Sequence, residues 1–294
     1  MVENDFKEVV RGYLRLTRID HGIMVIIAIF AGAFLTIHYN LFNYSNIHVF
    51  LIGSLIGLIL EMGTFALNDY FNIEEDRINA PHRPLVSGII KPTHALIFSI
   101  ITIILGLTLV LLLNLSLVIV VYVTILLDIM YNALLKKRGF IGNIIVAYST
   151  AIPFVYGALL FENNPTALPI EVYLFTLIAF LATLGREVIK GIVDFEGDKK
   201  AGIKTIAITY GKKIAAYIST FTISIAIILS FLALAFIENK LLYLVFILPT
   251  DYVFISSLRK LLKNYDKKDE VEKVRKMTLA GMGLGIISFI SSAI

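Results

Sequence analysis

Two stretches of the sequence place carboxylates and carboxamides at helical spacing, and the first begins at Asn68. Asn68, Asn72 and Asp76 recur every four residues, so a helix through this stretch aligns their side chains along one face. Asp69 flanks that face. The prolines that follow cannot continue a helix, so the stretch passes into a loop. The pattern predicts a row of oxygen ligands at the end of a helix.

The second stretch has the same kind of composition and lies far away in the chain. Glu187, Asp194 and Asp198 are spaced by seven and four residues, which again places them on one helical face, and Lys190 shares that face. A single acidic stretch beside an apolar helix is usually only a solvated loop. Two such stretches, each mixed with Arg and Lys, favour a common site.

The chemistry of such a site follows from the ligand types. Neighbouring carboxylates repel one another unless a cation lies between them, and carboxylate and amide oxygens favour Mg²⁺. Magnesium keeps part of its coordination sphere for water and for substrate phosphates. At a membrane surface this arrangement suits a diphosphate with an apolar tail, because the diphosphate binds the metal while the tail lies among apolar helices.

The composition places these stretches in a membrane protein. Of 294 residues, 58% are hydrophobic and only 16% are charged, which argues against a soluble or disordered chain. Cysteine is absent, so disulfides, thiolate metal sites and cysteine nucleophiles are excluded. Nine apolar segments are long enough to span a bilayer. Their approximate ranges are 19–37, 47–67, 93–113, 115–135, 141–161, 169–189, 213–237, 241–258 and 277–294.

The basic residues predict the orientation of these segments. All but Lys240 of the 26 Lys and Arg residues lie before the first segment or in or beside alternate connections. Positively charged connections stay in the cytoplasm, so we expect a multi-pass protein of the cell membrane with a cytoplasmic N-terminus and an external C-terminus. The acidic regions, about 68–92 and 186–212, then both face the cytoplasm.

These motifs resemble those of the UbiA superfamily of intramembrane prenyltransferases. The family's first motif is N-D-x-x-D-x-x-x-D, matched by Asn68, Asp69 and Asp76, and its second is D-x-x-D-x-x-x-D or a variant, matched by Asp194 and Asp198. The resemblance covers nearly the whole chain. It implies an all-α fold in which nine transmembrane helices surround a central cavity, as a single domain over residues 1–294, with both motifs in cytoplasmic connections.

The chain departs from the family's pattern at two positions. Asn72 and Gly191 stand where many members carry Asp, so the number of metal ions stays open.

The resemblance is strongest to an archaeal branch of the superfamily. Residues 68–71, 83–84, 185–191 and 196–198 are similar to the members that transfer a geranylgeranyl group to geranylgeranylglyceryl phosphate and form the second ether bond of archaeal lipids. The alternative within the superfamily is prenyl transfer to an aromatic quinone precursor or to haem. Donor, lipid-phosphate acceptor and membrane lipid are the implied partners, and nucleic acid is not among them.

The resemblance also implies roles for individual residues. The expected Mg²⁺ ligands are Asn68, Asn72, Asp76, Asp194 and Asp198, with Asp69 as a further candidate. Asp76, Asp194, Asp198 and Tyr131 are the expected catalytic residues, Tyr131 through attraction of its ring for an allylic cation. The expected substrate contacts are Arg77, Arg83, Arg186 and Lys190 at the diphosphate, Arg18 and Lys136 at the acceptor phosphate, and Asp128 in the cavity wall.

Three further readings compete with these assignments. The basic residues can serve only to hold their loops in the cytoplasm. An ion-coupled transporter also carries intramembrane polar groups, but its site lies near the midplane on broken helices. A lipid phosphotransferase uses aspartates at the membrane surface, yet in one clustered motif. The carboxylates of Glu61, Asp128 and Asp251 lie inside apolar segments, where ionisable groups are functional by default. The alternative for Asp251 is that it only forms a hydrogen bond inside its helix bundle.

Overall fold

The computed structural model describes residues 2–294, with the side chains of residues 2–6, 78, 79 and 137 outside that description. Within it the chain forms helices and no strands. The helices are α1 (Val2–Leu16), α2 (Ile19–Ile37), α3 (Tyr44–Phe71), α4 (Ile73–Asn79), α5 (Pro92–Val110), α6 (Leu115–Met130), α7 (Phe140–Leu159), α8 (Ile170–Val193), α9 (Phe195–Lys200), α10 (Ile206–Tyr210), α11 (Lys212–Ala233), α12 (Lys240–Asn264) and α13 (Lys268–Ser291). A π-helical turn, Tyr131–Leu135, and a 3-10 turn, Lys136–Arg138, connect α6 to α7.

Nine helices of the described chain are long and apolar enough to cross a membrane. They are α2, α3, α5, α6, α7, α8, α11, α12 and α13. This confirms the predicted all-α, multi-pass fold and each of the nine segments. The remaining helices are short or amphipathic and lie between or before the spanning helices.

The largest boundary differences concern the last two spanning helices. Helix α12 continues to Asn264 and α13 begins at Lys268, whereas the apolar segments end at 258 and begin at 277. Hydropathy detects only the apolar part of a helix. The charged part remains helical here with support from ion pairs one turn apart, Lys273 with Glu270 and Arg275 with Glu272. The basic connection predicted at this point is therefore largely helical.

Helix α1 was not among the predicted elements. It is amphipathic, and its last residue, Leu16, is fully buried in a cluster with Ala66, Leu85, Ile90 and Ala95. These contacts hold α1 against the start of α5 and against the end of α3, which carries the first residues of the first acidic stretch. As a result Arg18, which follows α1 in a left-handed conformation (φ 45°), is held close to Asp69.

Helices α2 and α7 approach each other closely at two glycines. A Cβ atom on Gly32 would lie 1.8 Å from the carbonyl oxygen of Phe154, and one on Gly157 would lie 2.0 Å from that of Ile29. Only glycine permits this backbone contact. The contact joins α2 to α7, and α7 packs in turn against α8.

We expect Gly157→Ala to lower the free energy of unfolding by about 1–3 kcal/mol, the usual cost of overpacking a tight contact. Thermal unfolding in detergent measures the effect. The matched control is Gly283→Ala in α13, where an added Cβ meets no atom within 4 Å. Equal unfolding midpoints for the two variants would contradict the importance of the α2–α7 contact.

Helices α2, α3, α6 and α7 line a cavity that is partly open to the outside. Most of its lining is apolar. The first acidic stretch follows α3, and the turns that begin at Tyr131 follow α6, so both polar segments lie at the same end of this cavity.

Candidate active site

The first acidic stretch is built on a break between α3 and α4. The sequence predicts one continuous helix, but α3 ends at Phe71 and α4 begins at Ile73, with Asn72 between them. The Nδ2 of Asn72 donates to Oδ1 of Asn68 at 2.8 Å, and the Nδ2 of Asn68 donates to Oδ1 of Asn132 at 2.7 Å. This chain of carboxamides fixes the orientation of Asn68 and Asn72.

Two arginines hold the carboxylates of the first stretch. Asp69 is 3% exposed, and its Oδ1 accepts hydrogen bonds from Arg18 at 2.8 Å and from Arg83 at 2.9 Å. Arg83 also donates to Oδ2 of Asp76 at 2.5 Å. Asp69 therefore anchors the two arginines, and its Oδ1 is not available to a metal. Arg83 links Asp69 to Asp76 and so positions the carboxylate of Asp76.

Lys136 reaches the first stretch from the 3-10 turn after α6. Its Nζ donates to Oδ1 of Asn72 and forms an ion pair with Oε2 of Glu75. Lys136 follows directly after the π-helical turn, a local irregularity that often occurs at functional sites. The turn thus places the ammonium group of Lys136 beside the carboxamides of Asn68 and Asn72.

The second acidic stretch lies where α8 ends. Glu187 accepts from Arg186 at 3.3 Å and pairs with Lys190 at 3.5 Å. Asp194 follows the last residue of α8, and Asp198 lies on α9. Among the residues whose side chains are described, neither aspartate has a side-chain hydrogen bond or an ion pair within 4 Å.

The two acidic stretches converge at Asp198. Burial raises the pKa of Asp198 to about 6, and the negative charges of Asp194 and Glu75 act in the same direction. The positive charges of Lys190 and Lys136 oppose this rise. Glu75 and Lys136 belong to the first stretch, so Asp198 lies within electrostatic reach of both.

Two other carboxyl groups of the site also have raised pKa values. Burial raises the pKa of Asp194, against the positive charges of Lys190, Arg275 and Lys268. Burial likewise raises the pKa of Asp76, although Arg83 opposes it. Half-buried carboxylates with too little positive charge nearby are the environment that a divalent cation stabilises.

The donor set fits Mg²⁺, which prefers carboxylate and amide oxygens and needs only one or two carboxylates per ion. In the described portion of the chain no three His, Asp or Glu side chains are already gathered in a metal-binding cluster. The donors available are the carboxamide oxygens of the first stretch and the carboxylates of Asp194 and Asp198.

The structure separates the basic residues that were expected at the substrate. Arg77 pairs with Glu74 at the surface, and its side chain is 62% exposed. Its substrate contact stays a prediction. Arg186 and Lys190 lie at the second stretch, and the Nε of Arg186 is buried without a hydrogen-bond partner in the described structure. Tyr131 lies within reach of the charges of Lys190, Glu187 and Glu75, between the two stretches.

Several polar residues of the site were not predicted. Asn132 and Ser149 both contact the cavity residue Asp128: the Nδ2 of Asn132 donates to its backbone oxygen at 2.9 Å, and the Oγ of Ser149 donates to its Oδ1 at 2.7 Å. In the sequence, only the position of Asn132, one helical turn after Asp128, indicates that Asn132 and Asp128 could belong to the same polar cluster. Arg275, in the charged part of α13, lies within electrostatic reach of Arg186 and Asp194.

The profile of the UbiA prenyltransferase family matches residues 24–281. The digeranylgeranylglyceryl phosphate synthase of Methanosphaera stadtmanae is 34% identical, over 96% of this chain and 99% of its own length. That of Methanocaldococcus jannaschii is 36% identical, over 98% of each chain. A solved structure of a digeranylgeranylglyceryl phosphate synthase is similar with a TM-score of 0.79 and 34% identity, over 98% of this chain and 99% of that one.

A more distant solved structure has the same fold. The UbiA homolog from Archaeoglobus fulgidus bound to DMAPP and Mg²⁺ is 19% identical, with a TM-score of 0.70 over 94% of this chain and 98% of that one.

Proposed function

The chain belongs to the UbiA prenyltransferase family, and from this premise we propose that its site transfers a geranylgeranyl group from the diphosphate to geranylgeranylglyceryl phosphate. The product is digeranylgeranylglyceryl phosphate, with a second ether bond on the glycerol, and diphosphate is released. The names of relatives that are 34% and 36% identical over almost their full length support this choice of donor and acceptor.

One observation carries the proposal: the two acidic stretches converge beside an apolar cavity. Asp198 of the second stretch is within electrostatic reach of Glu75 and Lys136 of the first. Asn132 joins Asn68 of the first stretch to Asp128 of the cavity wall. A diphosphate at the acidic end therefore has space for its apolar chain among α2, α3, α6 and α7.

Mg²⁺ is the proposed cofactor. Its proposed ligands are Asn68, Asn72, Asp76, Asp194 and Asp198. When bound, the metal neutralises the diphosphate and makes it a better leaving group. Asp69 is excluded from the core of this set because its Oδ1 holds Arg18 and Arg83.

The remaining polar residues of the site are assigned to orientation and charge stabilisation. Arg186, Lys190 and Lys136 bind the phosphate oxygens, and the buried, unpartnered Nε of Arg186 offers one such donor. Arg83 holds Asp76 in place. Tyr131 lies between the two stretches, where its ring attracts the positive charge that develops at C1 as diphosphate leaves. The apolar cavity excludes water from this cation.

The orientation in the membrane is part of the proposal. The basic connections predict that the acidic stretches face the cytoplasm. The N-terminus then lies inside the cell and the C-terminus outside.

The function is tested with purified protein, labelled geranylgeranyl diphosphate and four acceptors: geranylgeranylglyceryl phosphate, hydroxybenzoate, dihydroxynaphthoate and haem. We expect Mg²⁺-dependent release of diphosphate and label transfer to the glyceryl phosphate alone, and we expect EDTA to stop both. Transfer to an aromatic acceptor or haem would replace the proposed acceptor. Binding of the donor without release of diphosphate would support a carrier instead.

A further inference from the structure

Two carboxylates lie in the wall of the cavity, where the proposed reaction has no role for a metal ligand. They belong to Glu61 of α3 and Asp128 of α6. Much of the surrounding wall is apolar, as in Val25, Ile29, Leu60, Val121, Ile152 and Pro153. An ionisable group inside a membrane protein is expensive and marks a functional site by default. These two therefore need an assignment.

Asp128 is held in a fixed orientation next to the acidic stretches. Its Oδ1 accepts a hydrogen bond from Ser149 at 2.7 Å, which leaves Oδ2 free in the described structure. Its backbone oxygen accepts from Asn132, which in turn is bonded to Asn68. Asp128 precedes Asn132 by one helical turn, about 5–6 Å of rise, whereas Glu61 precedes Asn68 by about two turns. Along its helix, Asp128 therefore lies closer than Glu61 to the first acidic stretch.

The other carboxylates near the acidic stretches are already engaged. Asp69 and Asp76 hold arginines, Glu75 holds Lys136, Glu187 holds Arg186 and Lys190, and Asp194 and Asp198 are the proposed metal ligands. Within the described site this leaves Glu61 and Asp128 as the carboxylates without a basic partner within 4 Å. The reaction still needs an acceptor for one proton, because the glycerol hydroxyl loses it when the ether forms.

We propose that Asp128 is the general base that takes the proton of the acceptor hydroxyl. This assignment rests on the proposed function. In the step, the C1–oxygen bond to diphosphate breaks and its electron pair leaves with diphosphate. The hydroxyl oxygen of the acceptor forms the new bond to C1, and its proton passes to Oδ2 of Asp128. Ser149 is a positioning residue that orients the carboxylate.

The charged groups around this pair are few. Glu61 interacts with Asp128 and, at longer range, with Arg18 from the segment before α2. Tyr131 is the further titratable side chain near Asp128.

The assignment is tested by Asp128→Asn with geranylgeranyl diphosphate and geranylgeranylglyceryl phosphate. We expect kcat to fall by about 10²–10⁴-fold, the usual contribution of a general base, with KM for the donor within about threefold of the wild type, since the donor contacts are unchanged. The matched control is Asp251→Asn. Asp251 is another buried carboxylate in a spanning helix, bonded to Ser230 at 2.8 Å, but it lies outside the cavity. This control should keep wild-type kcat.

A second acceptor separates a base from a structural residue. An acceptor with a thiol in place of its hydroxyl ionises without help near its ordinary pKa of about 8.5, so at pH 9 it should restore most of the rate lost in Asp128→Asn.

The outcomes distinguish this inference from the proposed function. If wild-type protein transfers to geranylgeranylglyceryl phosphate but Asp128→Asn keeps kcat within threefold, Asp128 is not the base. If Asp128→Asn is slow with both the hydroxyl and the thiol acceptor, its role is structural. If the wild type does not use this acceptor at all, the proposed function itself is wrong.

Discussion

Replacement of Asp198 by Asn is expected to lower kcat by on the order of 10²–10³-fold and to abolish the stabilisation of the protein by Mg²⁺. Asp198 is the residue at which the two acidic stretches meet, and its carboxylate has no hydrogen-bond donor or ion-pair partner in the described structure. Its charge is therefore free to bind a cation. Turnover with saturating donor and the thermal shift caused by MgCl₂ measure the two effects.

The same variant should not be less stable than the wild type in the absence of metal. Burial and the nearby charges of Asp194 and Glu75 disfavour the ionised Asp198, so a neutral carboxamide removes a repulsion. A ligand that binds only the folded state stabilises it, and the thermal shift reports that binding separately from turnover.

The matched control is Glu196→Gln, an exposed carboxylate on the same short helix. It should keep both kcat and the magnesium shift. Equal magnesium shifts in Asp198→Asn and the wild type would remove Asp198 from the metal site.

The number and type of the elements could be predicted from the sequence because a bilayer imposes a strict length on apolar helices. All nine segments are present as helices. The hydropathy pattern predicted the helices less well where they extend beyond the apolar layer of the membrane. The charged start of α13, from Lys268, is helical although nothing apolar marks it, and it carries Arg275 towards the second acidic stretch.

Helix α1 shows the same limit of hydropathy. The charged residues of α1 lower its mean hydropathy, so a search for apolar segments does not detect it. The helical periodicity of its apolar residues would have predicted the helix. This periodicity places Leu16 on the face that is buried against α3 and α5.

The proximity of the acidic stretches could be inferred from the sequence, but their internal contacts could not. Motif spacing selects Asn68, Asn72 and Asp76 as one row, and the structure joins Asn68 and Asn72 by a hydrogen bond. The partners of Asp69, in contrast, include a residue that is distant in the sequence. Arg18 lies 51 positions before it in the chain, and the contact exists only because α1 packs beneath α3. A role that depends on such a long-range ion pair leaves no local pattern.

Gly191 stands where many family members carry Asp. A Cβ atom at this position would lie 3.4 Å from the Cβ of Thr205, an ordinary van der Waals distance, so packing does not require a glycine here. The proposed metal ligands of the second stretch are Asp194 and Asp198 alone, which increases the weight of each in the proposed site.

Replacement of Arg83 by Met is expected to lower the free energy of unfolding by about 1–3 kcal/mol and kcat by more than tenfold. Arg83 donates to Asp69 at 2.9 Å and to Asp76 at 2.5 Å, and Asp69 is 3% exposed. Removal of the guanidinium leaves Asp69 with Arg18 as its remaining cation and leaves Asp76 without one in the described structure. Breaking a buried pair costs more than the pair itself contributes, because the remaining charge stays desolvated.

Arg77→Met is the matched control, since Arg77 also pairs with a carboxylate and lies six positions away. Its ion pair with Glu74 is solvent-exposed, so its loss should change stability by less than about 0.5 kcal/mol. The effect of Arg83→Lys on stability should fall between those of Arg83→Met and Arg77→Met, because a single ammonium cannot bridge two carboxylates in the planar geometry of a guanidinium.

If the role of Arg83 is to hold Asp76, then Asp76→Asn should make Arg83→Met much less damaging to stability in a double-mutant cycle. Additive effects in that cycle would show that Arg83 and Asp76 act independently, and would return Arg83 to the group of candidate diphosphate ligands.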